Sequence, residues 1–237
     1  MRTLAIRRLG LISYADGVEL QRSLVEDRRR DHIPDTLLLL QHPHVITIGV
    51  RKGGALNVLA DRERLAELGV EIFETGRGGD VTYHGPGQIV GYPILDLRPD
   101  RQDVHRYVRD LEEVMIRVCG EFDIRAERIP TLTGVWINGE KVGAIGVRIS
   151  RWITSHGFAF NVNTDLDYFR LIVPCGIGDR GVTSLAKVTR EKQRLADVED
   201  LIVRHFSGVF ERHAVDQQLS LTDGDRHPTT AASVSLR

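Results

Sequence analysis

The chain has almost no net charge, only two cysteines and no long apolar run. Its 32 basic and 33 acidic residues nearly cancel, so the basic stripe or elevated pI that accompanies nucleic-acid binding is missing and a nucleic-acid partner is disfavoured. The triplet Arg28-Arg29-Arg30 reads more simply as the solvated end of a helix. No apolar stretch approaches the roughly 20 residues that cross a bilayer. The longest candidate is Leu37 to Leu40, so no membrane association is expected. The N-terminal MRTLAIRRLG lacks the apolar core of a secretory signal. With Cys119 and Cys175 far apart as well, the expected location is the reducing cytoplasm.

What is present fits one globular unit. A chain of 237 residues, 41% apolar and 27% charged, supports one substantial core and is short for two. We expect a single catalytic domain over 1–215 and a disordered tail over 216–237, where Ser, Thr, Asp and small residues follow one another without period.

Along the chain, Val18, Leu20, Leu24 and Val25 suggest an early helix that Pro34 ends. Thr36 to Leu40 and Val45 to Gly49 read as paired strands. Asn57 is placed to cap a helix through Leu65 and Leu68, stopped by Gly69 before a strand from Val70 to Phe73. Further strands are expected over Val81 to Tyr83 and Gln88 to Leu97, on either side of Gly85-Pro86-Gly87. The clearest helix runs from Asp103 to about Gly120, with Val104, Val108, Leu111, Met115 and Val118 on one stripe. Asn138-Gly139 between Val135-Trp136-Ile137 and Val142 to Ile149 is a strong hairpin signal, because both central positions need positive φ. A strand over Trp152 to Val162, a helix from Asp165 toward Leu171 and a last helix from Val198 to Phe210 complete the expectation. Hairpins with interspersed helices and no regular βαβ alternation give an α+β class, a mixed β-sheet with flanking helices.

The two cysteines differ in setting. Cys119 falls at the end of the periodic helix beside its apolar stripe, where a free cysteine packs as a small hydrophobe. Cys175 sits between Pro174 and Gly176, in a loop that can present a thiol to a ligand. A nucleophilic thiol needs a neighbour that holds it as thiolate, because free cysteine with a pKa near ~8.5 is mostly protonated at neutral pH. Lys141, at the start of the glycine-rich strand Lys141-Val142-Gly143-Ala144-Ile145-Gly146, is one candidate; His84 and His156 are others. Spacing does not choose among them. The block Arg77-Gly78-Gly79-Asp80-Val81-Thr82-Tyr83-His84-Gly85-Pro86-Gly87-Gln88 lets backbone approach a ligand closely. It is neither a dinucleotide fingerprint nor a P-loop, because its glycines open no helix and no GK[ST] ending follows. His42-Pro43-His44 invites a metal reading, but no third ligand stands at a usual spacing. No metal and no cofactor are expected.

Taken together, Leu39 to Gly49, Arg77 to Gln88, Lys141 to Val147, His156 to Val162 and Pro174-Cys175-Gly176, in that order, resemble the lipoyl(octanoyl) transferase family. The resemblance covers nearly everything from the first strand to about Ala186. It implies a fold similar to the catalytic domain of biotin and lipoate protein ligases and transfer of an octanoyl group through a cysteine thioester. Cys175 matches the family's nucleophile and Lys141 the lysine that tunes it. The segments Arg77 to His84, Ala144-Ile145-Gly146 and Gly157-Phe158-Ala159 match its acyl-binding segments. Within the first of these, Asp80 stands at a position the family varies and takes no separate role. The implied donor is octanoyl acyl carrier protein. The implied acceptors are lipoyl domains of 2-oxoacid dehydrogenase E2 subunits and the glycine cleavage H protein. An ATP-dependent lipoate protein ligase on the same fold would have no need of Cys175, and a nonenzymatic acyl-binding protein would use neither Cys175 nor Lys141.

Overall fold

A computed structural model describes residues 1–173 and 180–217. Its frame is an eight-stranded mixed sheet. The strands are β1 (Arg2–Leu11), β2 (Asp35–Gln41), β6 (Gln88–Ile94), β7 (Glu127–Ile129), β8 (Leu132–Ile137), β9 (Glu140–Ser150), β10 (Ile153–Asn161) and β11 (Arg212–Asp216). Their order is β11-β1-β2-β6-β10-β9-β8-β7, with β1 parallel to both neighbours and the other pairs antiparallel. A separate three-stranded sheet holds β3 (Val45–Ile48) between β4 (Glu71–Glu74) and β5 (Val81–His84). The α+β, mixed-sheet expectation holds.

Strand β2 shows why the Leu37 to Leu40 run is unbroken. Leu37 and Leu39 point to the face covered by α3 (Val104–Gly120) and α5 (Leu195–Phe210), while Leu38 and Leu40 point to the face covered by α1 (Tyr14–Arg29). A strand buried on both faces loses the polar half of its alternation. Helix α3 starts on Asp103, whose carboxylate accepts the Arg106 N–H (3.0 Å). It buries Tyr107, Leu111, Val114, Met115 and Val118. Val104, expected on that stripe, is instead 44% exposed.

Several elements depart from expectation. Strands β1, β7 and β11 were not anticipated and are set by their neighbours; nor was the short helix α4 (Leu185–Thr189), which Ser184 caps by accepting the Lys187 N–H (3.1 Å). The helix expected from Asn57 begins later: α2 (Arg62–Glu67) is capped by Asp61, which accepts the Arg64 N–H (2.8 Å). Asn57 ends a 3-10 turn, Gly54–Asn57. The segment after it is drawn into pairing with distant backbone: Leu59 N–H donates to the Leu171 carbonyl (2.8 Å) and Val58 bridges Ile172. Leu166–Leu171, expected as α-helix, is also 3-10, capped by Asp165. The last strand carries the fold to Asp216; 218–237, most of the expected tail, lies outside the described residues.

The arginine triplet is not a uniformly solvated helix end. Arg28 is 5% exposed and donates from Nε to the Asp35 carboxylate (2.9 Å). Asp35, with no side-chain exposure, also accepts from Arg2 (3.0 Å), from Arg212 (3.0 Å) and from the Asp96 backbone N–H (3.0 Å). One carboxylate therefore ties β1, β2, β11, α1 and the exit of β6. Removing the charge from such a cluster leaves buried guanidiniums short of a counter-ion. Asp35→Asn should cost about 3–5 kcal/mol in urea unfolding, whereas Arg2→Met, at the 28% exposed edge, should cost about 1 kcal/mol or less. A loss below about 1 kcal/mol for Asp35→Asn would show that the cluster is not a unit.

Candidate functional site

A cavity of about 580 Å³ lies where the small sheet meets the large one, a size typical of sites that enclose a small acyl-sized ligand. The loop before β5 provides one wall with Arg77, Gly78, Gly79 and Asp80; Val81, Thr82 and His84 continue it. Strands β6, β9 and β10 provide the other with Val90 and Tyr92, Lys141 and Ala144 to Val147, and His156 to Ala159.

Two backbone features build this wall. Pairing between β8 and β9 shifts register between Trp136–Lys141 and Val135–Gly143, so β9 takes an extra step. Such a bulge re-aims the flanking side chains. Val142 joins the apolar core on the α3 face, and a Cβ on Gly143 would meet Met115 there. Lys141 and Ala144, three apart and therefore opposed on a regular strand, both line the cavity. Beyond Val135–Gly143 the two strands carry no further pairs, and the loop takes up the open edge of β9: Gly78 N–H donates to the Val147 carbonyl (2.9 Å). A Cβ on Gly146 would stand 2.9 Å from the Gly78 carbonyl, and one on Gly49 would stand 2.4 Å from that of Gly79. Glycine is required at this approach.

Lys141 is 8% exposed. Its ammonium stands 4.7 Å from the centre of the Trp136 ring, a favourable cation–π placement, and its backbone is clamped by the Gly181 carbonyl (2.9 Å) and the Thr183 N–H (2.9 Å). Gly134, at φ +127°, lies so close that a Cβ would meet the Gly143 carbonyl at 2.6 Å and the Lys141 stem at 3.4 Å. Cys175 lies outside the described residues. The described residues on either side of 174–179 are each held by a neighbour of the cavity wall. Val173 N–H donates to the Asn57 carbonyl (2.7 Å), and the Arg180 guanidinium lies 5.8 Å from the Trp136 ring centre. Asp80 fixes the first anchor, accepting from Asn57 Nδ2 (2.9 Å) and from the Val81 N–H (2.7 Å).

The histidines divide. His42 Nδ1 donates to the Ile12 carbonyl (2.9 Å), which leaves Nε2 to accept from Tyr92 Oη (2.8 Å). His44 faces the other way, stacked on Tyr168 at 4.1 Å and bonded to Tyr83 Oη (2.7 Å). The His42-Pro43-His44 pair therefore does not converge. Tyr83 goes with His44: it packs between Tyr168 and Phe169 in the small-sheet core, and of the described residues in the expected site it does not line the cavity. His84 Nδ1 donates to Gln88 Oε1 (2.7 Å), whose amide nitrogen donates to Asn161 Oδ1 (2.9 Å) and the Tyr83 carbonyl (3.2 Å). Arg77 holds the loop to β3, donating to the Thr47 hydroxyl (2.9 Å) and to the Thr47 carbonyl (2.6 Å).

Burial pushes the His84 pKa down to about 3, assisted by His42, Arg77 and His156 and opposed by the Gln88 bond. Burial pushes His156 to about 4, with Arg77 and Arg148 adding to it, and His42 to about 4 against the pull of the Ile12 carbonyl. At neutral pH all three are uncharged. Cys119 is fully buried, its thiol pushed up to about 12 by burial, and this suits the packing role read for it. Tyr14, Arg51, Val90, Tyr92, Val108 and Thr131 to Thr133 also line the cavity and were not anticipated. Arg51 had a usable signal, two cations and two glycines directly after a strand. Tyr14 and Tyr92 read as ordinary core aromatics.

With this geometry in place, comparison with known proteins decides the lineage. The lipoyl protein ligase A/B catalytic domain matches residues 13–207, and octanoyltransferases match almost end to end. That of Solibacter usitatus is 52% identical over 211 residues, covering 89% of this chain and 94% of its own. That of Rubrobacter xylanophilus is 54% identical over 209 residues, covering 87% and 94%. The chain belongs to the octanoyltransferase family. Among solved structures, a bipartite lipoate protein ligase of Thermoplasma acidophilum, described with its E2 lipoyl domain, superposes with a TM-score of 0.71 at 16% identity over 93% of this chain and 88% of its own. A biotin protein ligase of Aquifex aeolicus in complex with biotin and ATP gives 0.54 at 15%, over 89% and 71%. These two establish the shared fold of the family.

The neutral histidines carry a signed pH dependence. In the unfolded chain each binds a proton below an ordinary value of about 6.5, but the folded protein resists protonation down to about 4 at His42 and His156 and about 3 at His84. Their contribution is complete above about pH 6.5 and is lost as pH falls through that window, by about 1.4 kcal/mol per pH unit per histidine. Urea unfolding at pH 7, 6 and 5 should show this fall, and His42→Asn should remove about one histidine's share of the slope. An unchanged slope in that variant would contradict the assignment.

Proposed function

We propose that this member of the octanoyltransferase family moves an octanoyl group from the thioester of an acyl carrier protein, through Cys175, onto a lysine of a lipoyl domain, such as that of a 2-oxoacid dehydrogenase E2 subunit or the glycine cleavage H protein. The observation that carries the reading is the position of Lys141: a buried side chain turned by a strand bulge toward the cavity, with the described backbone on either side of 174–179 held by Asn57 at Val173 and by Lys141 itself at Gly181. An ammonium next to a thiol favours thiolate. In the first step the Cys175 thiolate attacks the thioester carbonyl, the carrier thiolate leaves, and Lys141 supplies its proton. In the second, the acceptor amine attacks the Cys175 thioester, the Cys175 thiolate leaves, and the now neutral Lys141 takes the amine proton, restoring both groups. Both steps pass through an oxyanion that backbone N–H groups can stabilise. A thioester is already activated, so ATP has no role. The free thiolate that precedes each turnover would be preserved in a reducing compartment such as the cytoplasm.

The neutral state of His84 and His156 and the bond that ties the His84 ring to Gln88 favour lysine over histidine as the partner of Cys175. Cys175→Ser should abolish transfer and the gain of one octanoyl group seen by intact mass, with the fold unchanged; Cys119→Ser should retain both. Lys141→Met should slow acyl-enzyme formation by roughly 10²–10⁴-fold and move the alkylation midpoint of Cys175 to higher pH. An absolute requirement for ATP, or a midpoint that moves only when a histidine is replaced, would overturn this mechanism.

A further inference from the structure

Between Val50 and Ala60 the chain carries Arg51 and Lys52 and no acidic residue. Two tight turns fold this segment on itself: Gly54 N–H donates to the Arg51 carbonyl (3.3 Å) and Leu56 N–H to that of Gly53 (2.9 Å). Its inward side is fully used. Gly54 is buried, Val58 packs into the small-sheet core, and the Asn57 amide is held by Asp80. Its outward side is not. Val50 is 65% exposed, Leu56 85% and Leu59 62%, and neither Arg51 nor Lys52 forms an ion pair among the described residues.

A single exposed leucine needs no explanation. Three large apolar side chains within ten residues, beside two uncompensated cations, are the composition of an interaction surface. Its location gives it a purpose. Arg51 lines the cavity and its N–H donates to the Gly79 carbonyl (3.1 Å) in the opposite rim. Asn57 holds Val173, the described residue that leads toward Cys175. Both macromolecular substrates have to reach this mouth, and charge separates them. The acceptor presents a lysine, itself a cation, which two unpaired cations repel. The donor presents its acyl group on a phosphate-bearing arm from an acidic domain, which they attract.

We propose that the 50–59 rim is the docking platform for the acidic carrier domain that donates the acyl group, with Leu56 and Leu59 in the contact and Arg51 and Lys52 facing the carrier's phosphate and carboxylates. The inference rests on the carrier-thioester reading of the reaction. Its test is the full-length double variant Lys52→Glu/Leu56→Ser, two exposed positions outside the cavity wall, first checked for an unchanged thermal midpoint. With octanoyl carrier protein as donor its KM should rise on the order of tenfold. The KM for octanoyl-pantetheine, a carrier-free donor, and the KM for the acceptor domain should stay as in the unsubstituted protein. A carrier KM that does not move, or a rise confined to the acceptor, would overturn the proposal while leaving the reaction intact. Should the unsubstituted protein use neither donor, the reaction reading fails on its own. Docking is then decided by titrating fluorescently labelled carrier protein: about tenfold weaker binding by the double variant supports the platform, and equal binding removes it.

Discussion

The Gly78 N–H bond to the Val147 carbonyl joins the two sheets across a distance that leaves no room for side chains. Gly146 and Gly49 allow that approach, since a Cβ at either would run into the carbonyl of Gly78 or Gly79. The contact closes the edge of β9 that β8 leaves open. What results is a walled cleft, with backbone on one side and apolar residues such as Val90, Phe158 and Ala159 on the other. A wall made of backbone is smooth and has fixed dipoles. That is a suitable boundary for a flexible acyl chain whose reactive carbonyl has to be held at one end.

The same loop serves as a relay to the rest of the site. Arg77 fastens it to Thr47, Asp80 fastens it to Asn57, and Asn57 receives Val173. Position within the cavity wall and position of the chain leading to Cys175 are therefore coupled through a short series of hydrogen bonds between buried and half-buried groups. His84, Gln88 and Asn161 make a second series behind it, and Asn161 Nδ2 donates to the Thr183 carbonyl (3.0 Å), next to the residues that clamp Lys141. Burial keeps the histidines neutral, so the positive charge along the cavity wall comes from arginine and lysine side chains. The Asp35 cluster is remote from all this and holds the other edge of the large sheet.

Much of the frame was legible because it depends on short-range rules. The Leu37 to Leu40 run, the α3 period and Asn138-Gly139, with φ of +50° and +80°, each state their conformation locally. Where local rules were silent the expectation went wrong. Trp152, expected as the first residue of a strand, instead makes the turn between β9 and β10 with Arg151, both left-handed, with no glycine or asparagine to announce it. Arg28 looked like solvent-facing charge, because a sequence does not show that Asp35 and Asp96 are waiting in the fold. Asn57 looked like a helix cap, yet its side chain is taken by Asp80 and its backbone by Val173.

The sequence by itself determined the class of the fold and the family, since glycine spacing and an ordered set of short blocks are written in residue types, and it supplied Cys175 and Lys141 as the groups proposed for the chemistry. It also separated Cys119 from Cys175 by context alone. Only the tertiary structure decided which side of the wall each residue serves. Tyr83 turns away from the cavity while His84 enters it, and a one-residue bulge puts Lys141 on the face of Ala144. The reason is physical: side-chain direction along a strand follows a period of two, and a register shift, which depends on a partner strand distant in sequence, reverses that direction without altering any residue.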